Sequence, residues 1–199
     1  MNLKRDIVIP APALAAAPSR AVRVALGIAG AASFAALTAL GASIEIPLQP
    51  VPITLQTLFV LLAGASLGAR YGTLSQLMYV GAGAAGLPVF AGGASGAAIL
   101  AGPTGGYLIA FMITPALIAL LLKRSETLLW QIASFTAGKL LILTLGVIHL
   151  TLFYTHDIGR SLFVGVLPFL PGAVFKIVAA VSIHRSSRAL VRHYRARQQ

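Results

Sequence analysis

The chain of 199 residues contains no cysteine, only four acidic residues, and charged residues of either sign amount to just 10% of it. Without a thiol, disulfide cross-links, thiolate metal sites and cysteine nucleophiles are excluded. A soluble domain carries roughly 25% charged residues to face water, so a chain with less than half of that has too little polar surface to be one. Close ligand spacing such as i, i+4 is missing among His149, His156, His184 and His193, which argues against a metal site. No G-x-x-x-x-G-K-[ST] loop occurs, so the chain does not itself hold ATP in that way. What is present is apolar length: 58% hydrophobic residues and a mean hydropathy of +0.90. The expected class is an all-α integral membrane protein with six short transmembrane helices, each of about 20 residues.

Residues 1–20 read as a disordered cytoplasmic tail. A charged start and the alanines 15–17 imitate a signal peptide, yet Pro10 and Pro12 interrupt the apolar helix such a peptide needs. A six-helix membrane domain is expected over 21–185, followed by a basic cytoplasmic tail over 186–199. Span one covers about Val22 to Ala42 and is dominated by alanine and glycine. The link Ile44 to Pro52 holds three prolines and cannot be regular helix. Spans two (Ile53 to Leu67) and three (Thr73 to Ala85) are separated at Gly68, a residue suited to ending a helix. Span three is too short to cross a layer of roughly 30 Å unaided. After it, Gly86 to Tyr107 is a charge-free stretch with seven glycines, tolerable at membrane depth only against protein or a cavity. It is therefore expected as an ordered Gly-rich outer loop between helices three and four. Spans four (Tyr107 to Leu122), five (Thr127 to Leu150) and six (Pro168 to His184) follow, with a loop over Thr151 to Phe163.

Of the 15 Lys and Arg residues, twelve fall in the N-terminal segment, at Arg70, at Lys123 and Arg124, and in the C-terminal tail, all on one side of a six-span topology. Arg160 alone is on the other. That asymmetry places both termini in the cytoplasm of a bacterial inner membrane, and it reads the net charge of +11 as topology and anionic-lipid contact rather than nucleic-acid binding. The Gly-rich loop and the proline link then share the outer side, which implies an outward-facing pocket.

Inside a bilayer each ionisable group needs a reason. Lys176 lies roughly 12 Å into span six, a depth that suits a counter-charge for an anionic ligand group. Lys139, near mid-depth in span five, is expected to be satisfied by a carbonyl or buried water from a neighbouring helix. Glu45 has no neighbouring carboxylate, so no general acid–base pair exists, and it reads as a solvated interfacial acid. Small residues recur every four positions in span one, at Ala25 and Ala29 and again at Ala31, Ala35 and Ala39, making flat faces for close packing. Internal packing and an external partner helix both remain open for them.

Three motifs occur in order: Pro52-Ile53-Thr54-Leu55-Gln56-Thr57-Leu58-Phe59; Tyr79 with Gly83-Ala84-Ala85-Gly86-Leu87-Pro88-Val89-Phe90-Ala91-Gly92-Gly93; and Gly102-Pro103-Thr104-Gly105-Gly106-Tyr107. Together they closely resemble the BioY family, the biotin-binding S components of energy-coupling factor (ECF) transporters, over about Ala25 to Lys176. The resemblance implies a non-enzymatic subunit without a cofactor. It captures biotin for uptake, working with a transmembrane coupling protein and two cytoplasmic ATPases, or alone. Thr54 and Gln56 would serve the ureido group, Phe90, Tyr107 and Phe169 the apolar ring, and Lys176 the carboxylate or another polar edge. Ala25, Ala29, Ala31, Ala35 and Ala39 would meet the coupling protein. One position departs from the family pattern P-G-D-x-x-K: Pro171-Gly172 is followed by Ala173, so the acidic residue is missing. The main alternative is an S component for a different vitamin. Lys176→Ala is expected to weaken biotin binding by about 2 kcal/mol or more if a desolvated charge contact is lost; unchanged affinity in an equilibrium binding assay removes Lys176 from the site.

Overall fold

The computed structural model describes residues 19–197, so the reading of the first 18 residues as a tail lies outside the described residues. Helix α1 (Arg20–Ser43) starts where the Ser19 hydroxyl accepts a hydrogen bond from Val22 N, a side-chain cap for an otherwise orphaned donor. The link after it differs from the purely helical expectation in one respect. Two short strands, β1 (Glu45–Ile46) and β2 (Ile53–Thr54), pair antiparallel with Glu45 opposite Thr54 and Ile46 opposite Ile53. The prolines between them forbid helix but leave the flanking residues free to pair.

Helix α2 (Gln56–Ala84) is a helical hairpin. Its reversal is at Gly68, with φ 75° and ψ −177°, a conformation that a residue with a Cβ adopts only at a cost. Had the element been straight, Gln56 and Tyr79 would lie about 35 Å apart; instead their side chains hydrogen-bond. The two arms lie close because Gly72 faces the Ala63 carbonyl, where a Cβ would come within 2.9 Å of the oxygen. Helix α4 (Gly105–Leu122) crosses the same point with Pro115 in its interior. Gly64 meets it so closely that a Cβ would lie 2.5 Å from Pro115 O and 2.7 Å from its Cα.

Between the hairpin and α4, the Gly-rich stretch forms a 3₁₀ turn at Ala91–Gly93 and a one-turn helix α3 (Ala98–Ala101). Helix α5 (Leu128–Leu150) is capped by Thr127, whose hydroxyl accepts from Trp130 N, and it runs on into a π-helical turn over Thr151–Thr155. The loop expected over Thr151 to Phe163 contains a helix instead: α6 (Ile158–Gly165), capped by Asp157, which accepts from Arg160 N at 2.8 Å. The polar residues His156, Asp157 and Arg160 mark the cap, not an absence of structure. Helix α7 (Leu170–Ala196) continues across the expected boundary at 185. No Gly or Pro occurs between Ala173 and Arg197 to stop it, and Arg188 and Arg192 both pair with Glu126 in the α4–α5 connection.

Among the described residues, five helical stretches are long and apolar enough to cross a membrane, α2 counted once. Large apolar side chains such as Leu26, Ile113, Leu129, Phe153 and Phe175 are exposed on their outer faces, as a lipid-facing surface requires. Two buried clusters hold the bundle together. One joins Leu61, Ile118, Phe135 and Val181; the other, toward the Gly-rich stretch, joins Val60, Tyr79, Tyr107, Phe111 and Ile142. Gly64→Val puts a branched side chain against the Pro115 backbone. It is expected to cost about 1–3 kcal/mol, seen as a Tm lowered by roughly 2–10 °C in thermal unfolding of the detergent-solubilised protein.

Candidate functional site

At the end of the bundle where α2 and α4 begin, a cavity of about 480 Å³ opens between the proline link, the Gly-rich stretch and the helices beneath them. Its size is within the usual range for small-molecule pockets. Pro47 to Pro52 form one wall, and small residues form another, among them Ala91, Gly92, Ala94, Ala98 and Gly102. All six residues singled out from the sequence, Thr54, Gln56, Phe90, Tyr107, Phe169 and Lys176, line this one cavity.

The polar members form a chain. Lys176 Nζ on α7 donates to the Thr54 backbone carbonyl at 2.5 Å. Thr54 Oγ1 donates to Gln56 Oε1 at 2.8 Å, Gln56 Nε2 donates to the Tyr79 hydroxyl, and that hydroxyl donates to the Val89 carbonyl at 3.2 Å. Thr54, Gln56 and Lys176 are all buried, so each of these groups depends on its protein partner rather than on water. One N–H of the Gln56 amide and further N–H groups of Lys176 are left over for a ligand.

The aromatic members are held as firmly. Tyr107 stacks on Phe169 with ring centroids 6.1 Å apart and planes at 25°, and its hydroxyl donates to Gly165 O at 2.8 Å. Phe90 meets Tyr79 edge-on, with centroids 5.7 Å apart, and its ring occupies the space left free by Gly83. The loop backbone is also fixed from below: His149 Nε2 and the Gly102 carbonyl are 3.0 Å apart, and Gly96 N donates to Gly83 O at 2.8 Å. Nothing in the sequence singled out His149 for this anchoring.

Two readings need correction and a third is narrowed. Lys139 also lines the cavity and is only 3% exposed; of the two partners expected for it, a carbonyl and a buried water, the carbonyl is not found among the described residues. Its Nζ lies 5.9 Å from the centre of the Phe169 ring. Glu45 is not a solvated acid: it is half-buried on the cavity wall, and its Oε2 is buried without a hydrogen-bond partner among the described residues. The alanine stripes of α1 separate onto two faces. Ala31 is fully buried, and Ala35 and Ala39 pack against the core cluster, so these three serve internal packing; Ala25 and Ala29 stay exposed. The difference follows from the helical repeat, since positions 25 and 29 lie on another face from 31 and 35.

Tyr79→Phe removes the hydroxyl that joins Gln56 to Val89 and leaves the buried amide short of a partner. The expected loss is about 1–3 kcal/mol of stability, measured by thermal unfolding without ligand.

The model of the BioY family matches residues 15–193. The chain is 48% identical over 150 residues to the "Biotin transporter BioY" of Thermotoga maritima, covering 75% of this chain and 88% of that one. It is 41% identical to the "Probable biotin transporter BioY" of Pyrococcus horikoshii, over 76% of this chain and 90% of that protein. Its fold is similar to the crystal structure of the S-component for biotin from an ECF-type ABC transporter, with a TM-score of 0.79 and 32% identity over 87% of this chain and 95% of the other.

Proposed function

This chain belongs to the BioY family, and from that premise we propose that it is the substrate-capture subunit for biotin uptake, a binding protein rather than an enzyme. The observation that carries this reading is the cavity itself. It joins an apolar aromatic floor, a hydroxyl and amide pair, and two buried ammonium groups in one 480 Å³ space. Biotin offers a matching set: an apolar thioether ring, a ureido group that needs hydrogen bonds, and a carboxylate that needs a cation. In this assignment Thr54 and Gln56 meet the ureido group, Phe90, Tyr107 and Phe169 enclose the ring, and Lys176 supplies donors to a polar edge. Ala173 offers no acceptor, so those already on the cavity wall take the place of the family's acidic residue.

The chain crosses the membrane six times in this reading, because each arm of the α2 hairpin makes one crossing. The arms are short, roughly 18 and 24 Å at 1.5 Å per residue, and the loop and proline link complete the thickness above them. The membrane domain is residues 21–185, and beyond it α7 carries basic residues as far as Ala196 out into the cytoplasm. The positive charge of that side favours the bacterial inner membrane with the cavity facing outward. Ala25 and Ala29 form the exposed face offered to a transmembrane coupling protein, which brings two ATPases; transport by the subunit alone remains within this reading.

Equilibrium binding of radiolabelled biotin to detergent-purified protein tests the function directly. Saturable one-site binding, displaced by dethiobiotin and not by thiamine, is expected. No binding up to high micromolar by well-folded protein sends the assignment to another vitamin.

A further inference from the structure

Helix α5 carries an ammonium group that no described residue neutralises. Lys139 is eleven residues past the start of α5 at Leu128, about 17 Å along a helix roughly 34 Å long, and hence near its middle. The residue is 97% buried, being 3% exposed, and its side chain lines the cavity. Among the described residues it makes no hydrogen bond and no ion pair. Its one favourable charge contact is the Phe169 ring at 5.9 Å, the outer limit for such an interaction.

Among the described residues, the other acidic side chains are committed or out of reach. Glu126 pairs with Arg188 and Arg192 in the connection after α4, remote from the cavity, and Asp157 caps α6. Glu45 shares the cavity wall but lies within ion-pair distance of neither lysine. Lys176 is differently placed, because it already donates to the Thr54 carbonyl. One buried lysine is thus tied to the protein, while the other faces an apolar space with no counter-ion. A lone buried charge is costly unless something pairs with it, and a ligand anion in that cavity is the pairing group the arrangement leaves room for.

We propose that Lys139, and not Lys176, is the specificity-determining cation that receives the carboxylate of the ligand. The proposal rests on the biotin-capture reading. Phe169 marks the Lys139 side of the ligand site. Its ring stacks on Tyr107 and has Lys139 Nζ near it, whereas Thr54, Gln56 and Lys176 form a polar cluster of their own. The carboxylate end of the ligand lies by Lys139 and its ring nitrogens and oxygen by that cluster.

The test compares biotin with biotinamide, which replaces the carboxylate by a neutral amide of similar shape. Wild-type protein is expected to prefer biotin by roughly 10–100-fold, the range of a hydrogen bond to a charged group. Lys139→Gln should reduce that preference to within about threefold while biotinamide affinity is kept, and Lys139→Arg should restore it. Lys176→Gln should weaken both ligands and leave the preference intact. Retained preference in Lys139→Gln overturns the proposal. So does equal loss of both ligands in that variant, because biotinamide has no charge for Lys139 to read. Wild-type protein that binds both ligands equally refutes the role of Lys139 alone, and wild-type protein that binds neither refutes the biotin reading.

Discussion

The run of hydrogen bonds from Lys176 through Thr54, Gln56 and Tyr79 to the Val89 carbonyl is what the cavity end of the molecule hangs on. It begins on the last helix, passes through a two-residue strand, spans both arms of the α2 hairpin and ends on the Gly-rich stretch. None of those irregular segments has regular secondary structure enough to place itself. In an apolar surrounding, however, an unpaired polar group costs several kcal/mol, so the segments settle where the helices offer partners. His149 and Tyr107 repeat the device on the other side, holding Gly102 and Gly165 by their carbonyls. The cavity walls are loops, but loops fastened to helices at defined atoms.

The same constraint explains which parts of the fold were legible in the sequence. Apolar runs gave the helices, because a membrane helix must be apolar along most of its length whatever it packs against. Gly68 was legible as a break, since few residues other than glycine accept that backbone conformation. The tightness of the hairpin was not, because it depends on Gly64, Gly72 and Pro115 meeting from three stretches of chain. The β1–β2 ladder and α6 were missed for a plainer reason: two residues, or eight residues with a polar start, carry no measurable period. Helix α7 was cut short at 185 because its hydrophobicity ends there, while its helix-forming residues do not.

At the site, residues were legible where their type was anomalous for its surroundings. A lysine in an apolar span and a charge-free run of glycines both demand an explanation before any fold is known. Thr54, Gln56, Phe90 and Tyr107 were reached through motif resemblance, and the structure brings them into one space with Phe169 and Lys176. Glu45 was misjudged, and the surroundings of Lys139 were not legible, for a common reason. Whether a charge is satisfied depends on what lies across from it, and sequence spacing does not contain that information. The stripes of α1 make the same point in reverse: 25 and 29 look like 31, 35 and 39 on paper, and only the position of Tyr71 and Leu67 against Gly27 and Gly30 shows which face is turned inward.

The wall built from Ala91, Gly92, Ala94, Ala98 and Gly102 gives the cavity a one-way capacity for change. Every residue there is already at or near the smallest side chain available, so almost any substitution adds volume and narrows the space. Descendants of this sequence can therefore drift toward smaller cargo by single steps along that wall. Room for a bulkier molecule has to come from trimming larger lining residues such as Phe90, Phe111 or Phe169, each of which also supports the packing around it. Narrowing is mutationally easy and widening is expensive, and the range of molecules reachable from this scaffold is lopsided for that reason.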